Sequence, residues 1–309
     1  MRKGFRVGLA LGGGGARGFA HIGAIKVLKS HSIPIDLIVG TSMGAIIGAN
    51  FCLNPDVDAL EKNSLAMLEH PQIKKLESLF SLTAEENHQK FIIQRLLSRI
   101  KNLYLWNLQT AKRWLVRTEP MVRLFKEVFN NWRFSDTKIP FACVAVDLNT
   151  ASSVIIQEGR ILEAVLASSS IPGIFAPLRR GNQLLTDGGI LSSVPARQAR
   201  ILGADFVIGI DLTNSHSERK LLSGLDVMFQ ADWVKSSYLN KLNLRDCDWV
   251  ITPEINNVSW VEFSQGLFCI RQGESAALRD IDKIKASLSK KKRFYFLKRH
   301  FFLKSSRKT

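Results

Sequence analysis

No apolar stretch in this chain reaches the roughly 18 uncharged residues that a bilayer-spanning helix needs. Cysteine is scarce. Cys52, Cys143, Cys247 and Cys269 show neither C-x-x-C pairing nor metal-ligand spacing, which argues against a disulfide framework or a cysteine zinc site. Cys52, Cys143 and Cys269 lie in apolar runs and read as core, so the expected setting is reducing and intracellular. Histidine is also sparse. Of His21, His31, His70, His88, His216 and His300, only His21 stands near a glycine motif. There is no internal repeat. The start, Met1 to Val7, resembles the basic region of a secretory signal. Its apolar run is short, however, and dissolves into a glycine cluster that cleavage would remove.

What is present points to an α/β protein. The 309 residues are 46% hydrophobic, enough for one large domain or two smaller ones. Strand-like runs at Phe5–Leu11, Ile35–Val39, Phe141–Asp147, Ala204–Asp211 and Trp249–Pro253 alternate with helix-like runs. The helices are expected at Phe19–Leu28, Ile161–Ser168, Pro195–Leu202, Leu221–Leu242 and Gly273–Leu288. Ser153–Gln157 reads as the hairpin partner of Phe141–Asp147. Such alternation predicts a parallel or mixed sheet covered on both faces.

Gly40-Thr41-Ser42-Met43-Gly44 follows the second strand and precedes the small apolar run Ala45–Ala49. A serine hydroxyl is a poor nucleophile until geometry presents it, and a sharp strand-to-helix turn does so. Glycines at 40 and 44 remove side chains that would crowd that turn. The cluster Gly12-Gly13-Gly14-Gly15-Ala16-Arg17-Gly18 occupies the first strand-to-helix junction. It fits a dinucleotide fingerprint, an oxyanion hole, or a loop that only packs a helix on a sheet. The fingerprint wants an acidic residue ending the second strand, whereas Asp36 precedes that strand. The serine context favours the oxyanion hole. Asp187-Gly188-Gly189 follows a turn and a short strand, where a carboxylate projects into a cleft.

Taken in order, the glycine loop ending in Arg17-Gly18, the Ser42 pentapeptide and Asp187-Gly188-Gly189 resemble the patatin-like phospholipase family. The segment from Ala167 to Pro177 is similar to one which that family places before its aspartate. The resemblance runs from about Phe5 to Leu288. It implies a three-layer α/β/α sandwich with a mainly parallel central sheet and a Ser42–Asp187 dyad in place of a Ser-His-Asp triad. The N–H groups of Gly13, Gly14 and Gly15 would stabilise the oxyanion, supported by Arg17, Gly18, Gly40, Gly44, Gly188 and Gly189. No metal or organic cofactor is required. An unperturbed aspartate is a weak base for a serine hydroxyl, so His21 is weighed as an alternative base. Packing beside the loop is its expected role. Asp147 is expected to organise loops. Arg17 either meets a lipid phosphate or, as favoured, ties the glycine loop to a carboxylate. Asp205 and Asp211 read as turn residues.

The net charge of +16 sits in two segments. Residues 74–133 hold twelve Lys/Arg and five acids, and residues 290–309 hold nine Lys/Arg and no acid. The first is expected to be a helical cap inserted into a catalytic domain spanning 1–289. Its runs Phe91–Ile100, Leu103–Trp106 and Trp114–Val116, with Phe125, read as basic amphipathic helices with exposed aromatics. The second is expected to be a separate basic-aromatic tail. Together they suit an anionic membrane surface better than nucleic acid. The expected function is hydrolysis of phospholipid or lysophospholipid esters by a cytoplasmic protein held at the inner face of the membrane. The alternative is a membrane-associated regulatory or adaptor protein on the same scaffold, and a nucleotide-dependent enzyme ranks third.

Overall fold

The structure is a computed structural model that describes residues 4–81, 119–213 and 224–305. Five strands run parallel in the order β3 (Phe141–Asp147), β2 (Leu37–Thr41), β1 (Val7–Leu11), β7 (Phe206–Ile210) and β8 (Trp249–Ile251). An antiparallel margin continues the sheet through β4 (Ser152–Ile156), β5 (Leu178–Arg180) and β6 (Gln183–Asp187). The central strands are buried along their whole length, as strands covered on both faces should be.

Side-chain alternation divides the core in two. Leu9, Leu11, Ile38, Cys143 and Ile208 face the larger cluster, and Ala10, Val39, Val144 and Val207 the smaller. On the larger face lie α1 (Ala20–Ser30), α2 (Met43–Leu53), α3 (Val57–Leu68), α5 (Glu119–Phe129), α6 (Ile161–Ser168) and α9 (Gly266–Ser305). The smaller face takes α7 (Ala196–Ile201), with Leu244 at the end of α8 (Gly224–Leu244). A mostly parallel sheet with helices on both faces is the three-layer architecture expected from the sequence.

Three expectations change. The helix read as Gly273–Leu288 runs from Gly266 to Ser305, so the boundary drawn at 289 falls inside one helix. Its residues beyond Leu288 dock on the body: Tyr295 meets Phe5 edge-on at 5.3 Å, and Lys291 pairs with Asp248. The sequence signal broke there because four consecutive basic residues, 290–293, interrupt the apolar period. Phe125, expected to be exposed, is buried against Phe129 at 6.2 Å. Asp205 and Asp211 do more than turn the chain: Asp205 accepts the Arg6 N–H (2.9 Å), and Asp211, which closes its own turn by accepting the Thr213 N–H (3.0 Å), also accepts from Asn240 Nδ2 (3.2 Å). Of the expected cap, α4 (Pro71–Ser81) and α5 are described; the runs at 91–100, 103–106 and 114–116 lie outside the described residues. No helix among the described residues is long and apolar enough to cross a membrane.

Candidate active site

Two strands abut on one edge of β3, and the two site residues lie at their junction. Strand β2 pairs with β3 up to Thr41↔Val144, while β6 pairs from Asp187↔Ala145 onward. Because β4 occupies the opposite edge across the same residues, β2 and β6 share one edge and meet nearly head to head. Ser42 is the first residue past the end of β2, and Asp187 is the last of β6. Residues far apart in the chain therefore become neighbours through strand register alone.

Ser42 has φ 53 and ψ −122, a left-handed backbone that side chains avoid and that costs about 1–3 kcal/mol. The turn is held from both sides. A Cβ on Gly40 would meet Gly44 O at 2.4 Å, and one on Gly44 would meet Leu11 O at 2.2 Å. The start of α2 thus lies directly on the end of β1, which only glycine permits. Gly18 and Gly188 are similarly enclosed, by the Met43 side chain and by Val144 O. The N–H of Ser42 donates to Ser168 Oγ (2.9 Å), and that hydroxyl donates to Val144 O (2.7 Å).

Asp187 is buried. Burial pushes its carboxyl up to about 6, against the opposing pull of the Gly189 N–H and of the nearby Ser42 hydroxyl. The Gly189 N–H donates to Asp187 Oδ1 at 2.8 Å, fixing the carboxylate rotamer. The backbone is fixed as well, because Asp187 N–H and Thr186 Oγ1 both donate to Ser170 O (3.0 and 2.6 Å). A carboxylate raised to about 6 is a stronger base than an ordinary one and is still mostly ionised at pH 7.

The glycine loop divides its N–H groups. That of Gly13 donates to Ser193 O at 3.0 Å, so Gly13 is withdrawn from the set of oxyanion donors. Its contribution is space, since a Cβ there would lie 3.3 Å from Ser42 Cβ. The N–H groups of Gly14 and Gly15 have no backbone acceptor among the described residues. Gly15 adopts φ +56, and a Cβ would strike Trp260 O. Arg17 donates to Gly14 O through its backbone N–H and through Nε, both at 3.3 Å. In a planar trans peptide the C=O and N–H point in opposite directions, so holding Gly14 O aims the Gly15 N–H. Burial lowers the pKa of the Arg17 guanidinium, and Cys269 and Asp211 nearby counter it.

His21 is fully buried, and its Nε2 lies 2.7 Å from Gly12 O. A carbonyl only accepts, so Nε2 carries the proton. Burial holds the ring neutral, with its pKa down at about 4. The ring is a strut for the loop. Asp147, at the end of β3, accepts from Leu184 N–H, Asn149 N–H and Thr150 Oγ1 at 3.0–3.1 Å, and these bonds lower its pKa. It fastens the β3–β4 turn to β6. In the sequence Ser168 stands only as one residue of the Ala167–Pro177 segment, and nothing there points to Ser193. Neither shows a local pattern, because one is a single hydroxyl and the other a backbone carbonyl brought in by the fold.

A family model described as patatin-like phospholipase matches residues 9–200, more than half of the chain. An uncharacterized NTE family protein of Mycobacterium tuberculosis (strain H37Rv) is 30% identical over 212 residues, covering 69% of this chain and 50% of that protein. Lysophospholipase NTE1 of Saccharomyces cerevisiae is 24% identical over 253 residues, covering 79% of this chain and 13% of that protein. The chain thus spans half or less of the length of these curated relatives. Among solved structures, VipD from Legionella pneumophila aligns with TM-score 0.49 and 14% identity over 91% of this chain and 67% of that one.

Proposed function

This chain belongs to the patatin-like phospholipase family, and from that premise we propose that it is a serine acyl hydrolase of phospholipid or lysophospholipid carboxylic esters. The observation that carries the reading is the meeting of the ends of β2 and β6 on one edge of β3, which sets a strained Ser42 beside the buried Asp187, with the nearest motif histidine committed to the loop. Ser42 Oγ attacks the ester carbonyl carbon while Asp187 takes its proton. The N–H groups of Gly14 and Gly15 receive the developing oxyanion, and one such donor is worth about 3 kcal/mol. The carbonyl re-forms, the bond to the alcohol breaks, and Asp187 returns the proton to the departing oxygen. Water then attacks the acyl-serine by the same route and frees the fatty acid.

The lipid surface is met, on this reading, by the outer part of α9. Lys290, Phe294 and Leu297 follow helical spacing along one stripe, with Phe294 58% and Leu297 50% exposed. They line a groove together with Arg293. Lys298 sits 4.9 Å over the Phe294 ring. An apolar stripe between cations suits the boundary of an anionic bilayer, where chains enter and ammonium groups stay among head groups. A nucleic acid would use the cations and leave the stripe wet.

Release of fatty acid from vesicle-borne phosphatidylcholine and from lysophosphatidylcholine, by wild type and by Ser42→Ala, tests the reading. Release by wild type alone is expected. No release by either protein, with no labelling by an ester-mimicking probe, would favour the scaffold role instead.

A further inference from the structure

The nucleophile turn opens a rung in the sheet, and a hydroxyl from another element fills it. Ile38 N–H donates to Pro140 O at 2.9 Å. A parallel ladder repeats every two residues on each strand. The continuing rungs would therefore run from Gly40 N–H to Ala142 O and then from Ser42 N–H to Val144 O. At Ser42 the chain leaves the strand with φ 53, and the last of these rungs cannot form directly. Ser168 Oγ stands in the gap, accepting from Ser42 N–H at 2.9 Å and donating to Val144 O at 2.7 Å.

We infer that Ser168 is a positioning residue for the nucleophile: its hydroxyl replaces the missing rung and so fixes where Ser42 stands relative to Asp187. Three features carry this. Ser168 is fully buried, so no solvent can take over either bond. Its two partners are a pure donor and a pure acceptor, so the hydroxyl proton has only one direction to point. Finally, Val144 O lies where both site strands end: a Cβ on Gly188 would meet it at 2.3 Å, and the next residue, Ala145, is the register partner of Asp187. One hydroxyl thus ties the backbone of the serine to the strand that places its base. Because Ser168 is the last residue of α6, the position of the nucleophile depends on how that helix is seated. Removing the hydroxyl leaves the Ser42 N–H and the Val144 carbonyl without partners, and the turn relaxes away from Asp187.

The inference rests on Ser42 being the nucleophile, and the test separates the two. Phosphonylation by a fluorophosphonate probe, the acylation rate, kcat and KM on a small soluble ester, and thermal unfolding are measured on full-length wild type, Ser42→Ala, Ser168→Ala and Ser168→Thr. Folded Ser168→Ala is expected to acylate about 100-fold more slowly, the scale of a misplacement near 1 Å. The fall should lie in kcat, with KM within about threefold, and Ser168→Thr, which keeps the hydroxyl, should recover most of it. Should Ser168→Ala fail to fold, Ser168→Cys takes its place, with a fall of about tenfold expected from the weak bonds of a thiol. Acylation at the wild-type rate in the folded variant, or a fall that Ser168→Thr does not relieve, would overturn the inference. Labelling that persists in Ser42→Ala defeats the nucleophile assignment itself. A silent Ser42→Ala beside an unimpaired Ser168→Ala defeats only the role of Ser168.

Discussion

At the scale of the residue, Asp187 carries opposed effects on activity and stability. Its folded pKa, raised by burial to about 6 from 3.8, leaves it protonated in mildly acidic solution, and a protonated carboxyl cannot accept the Ser42 proton. The acylation rate should therefore fall about tenfold per pH unit below pH 6 and level off above about pH 7. Stability should move the other way. The folded state binds this proton more tightly than the unfolded chain does, so the favourable contribution is complete below about pH 4 and is lost as pH rises through 6. Asp187→Asn should abolish the acidic limb by cutting acylation 100-fold or more. At pH 8 it should leave the melting temperature equal or higher, because a buried charge has been removed. His21→Gln should cost acylation less than tenfold. A stopped-flow pH profile of acylation, with calorimetry on the same proteins, checks all three; a profile that follows His21 would contradict the assignment. The serine, the aspartate and the glycines were legible in the sequence because each sits in a short pattern that a turn dictates. The Ser193 tie on Gly13 was not, since a backbone carbonyl carries no sequence mark.

At the scale of the element, α1 and α9 cross almost backbone to backbone. A Cβ on Gly23 would meet Ile270 O at 2.0 Å, and one on Gly273 would meet Ala20 O at 2.0 Å. Gly273→Ala should therefore cost about 3 kcal/mol, the upper range for overpacking a core, and denaturant unfolding should report it. A loss below 0.5 kcal/mol would mean that the helices do not cross there. The same crossing carries α9 past the basic run, where Asp248 gathers Arg200 Nη2 at 2.5 Å, Lys291 and the Val207 N–H (2.8 Å). Periodicity located β3 and α6 to the residue, because a buried strand and a short apolar helix state their own ends. It lost the C-terminal end of α9, where surface charge hides a helix whose supports lie on other elements.

At the scale of the whole molecule, the sheet divides the core in two, and the outer stretch of α9, docked through Lys291 and Tyr295, leaves Phe294, Phe296 and Leu297 exposed. If that stretch meets anionic lipid, Phe294→Ser with Leu297→Ser should weaken co-sedimentation with phosphatidylserine-rich vesicles about tenfold or more. Hydrolysis of a small soluble ester should be unaffected. Binding of the wild type should also fall from low to high salt, since screening shortens the reach of surface charge to about 8 Å at physiological ionic strength. Equal sedimentation of both proteins on anionic and neutral vesicles would remove this face from the mechanism. Tight binding to nucleic acid at physiological salt, with none to vesicles, would give it another partner. The α/β order of the fold was legible because strands and helices alternate along the chain. The abutment of β2 and β6 on one edge of β3 was not, because register is fixed by pairing between distant segments.

The central claim is that Ser42 is an activated nucleophile. Mass mapping of the fluorophosphonate adduct tests it most directly. Wild-type protein should carry one adduct on the peptide that contains Ser42, and Ser42→Ala should carry none while keeping the wild-type circular dichroism. An adduct on any other serine, or one that survives in Ser42→Ala, would contradict the account.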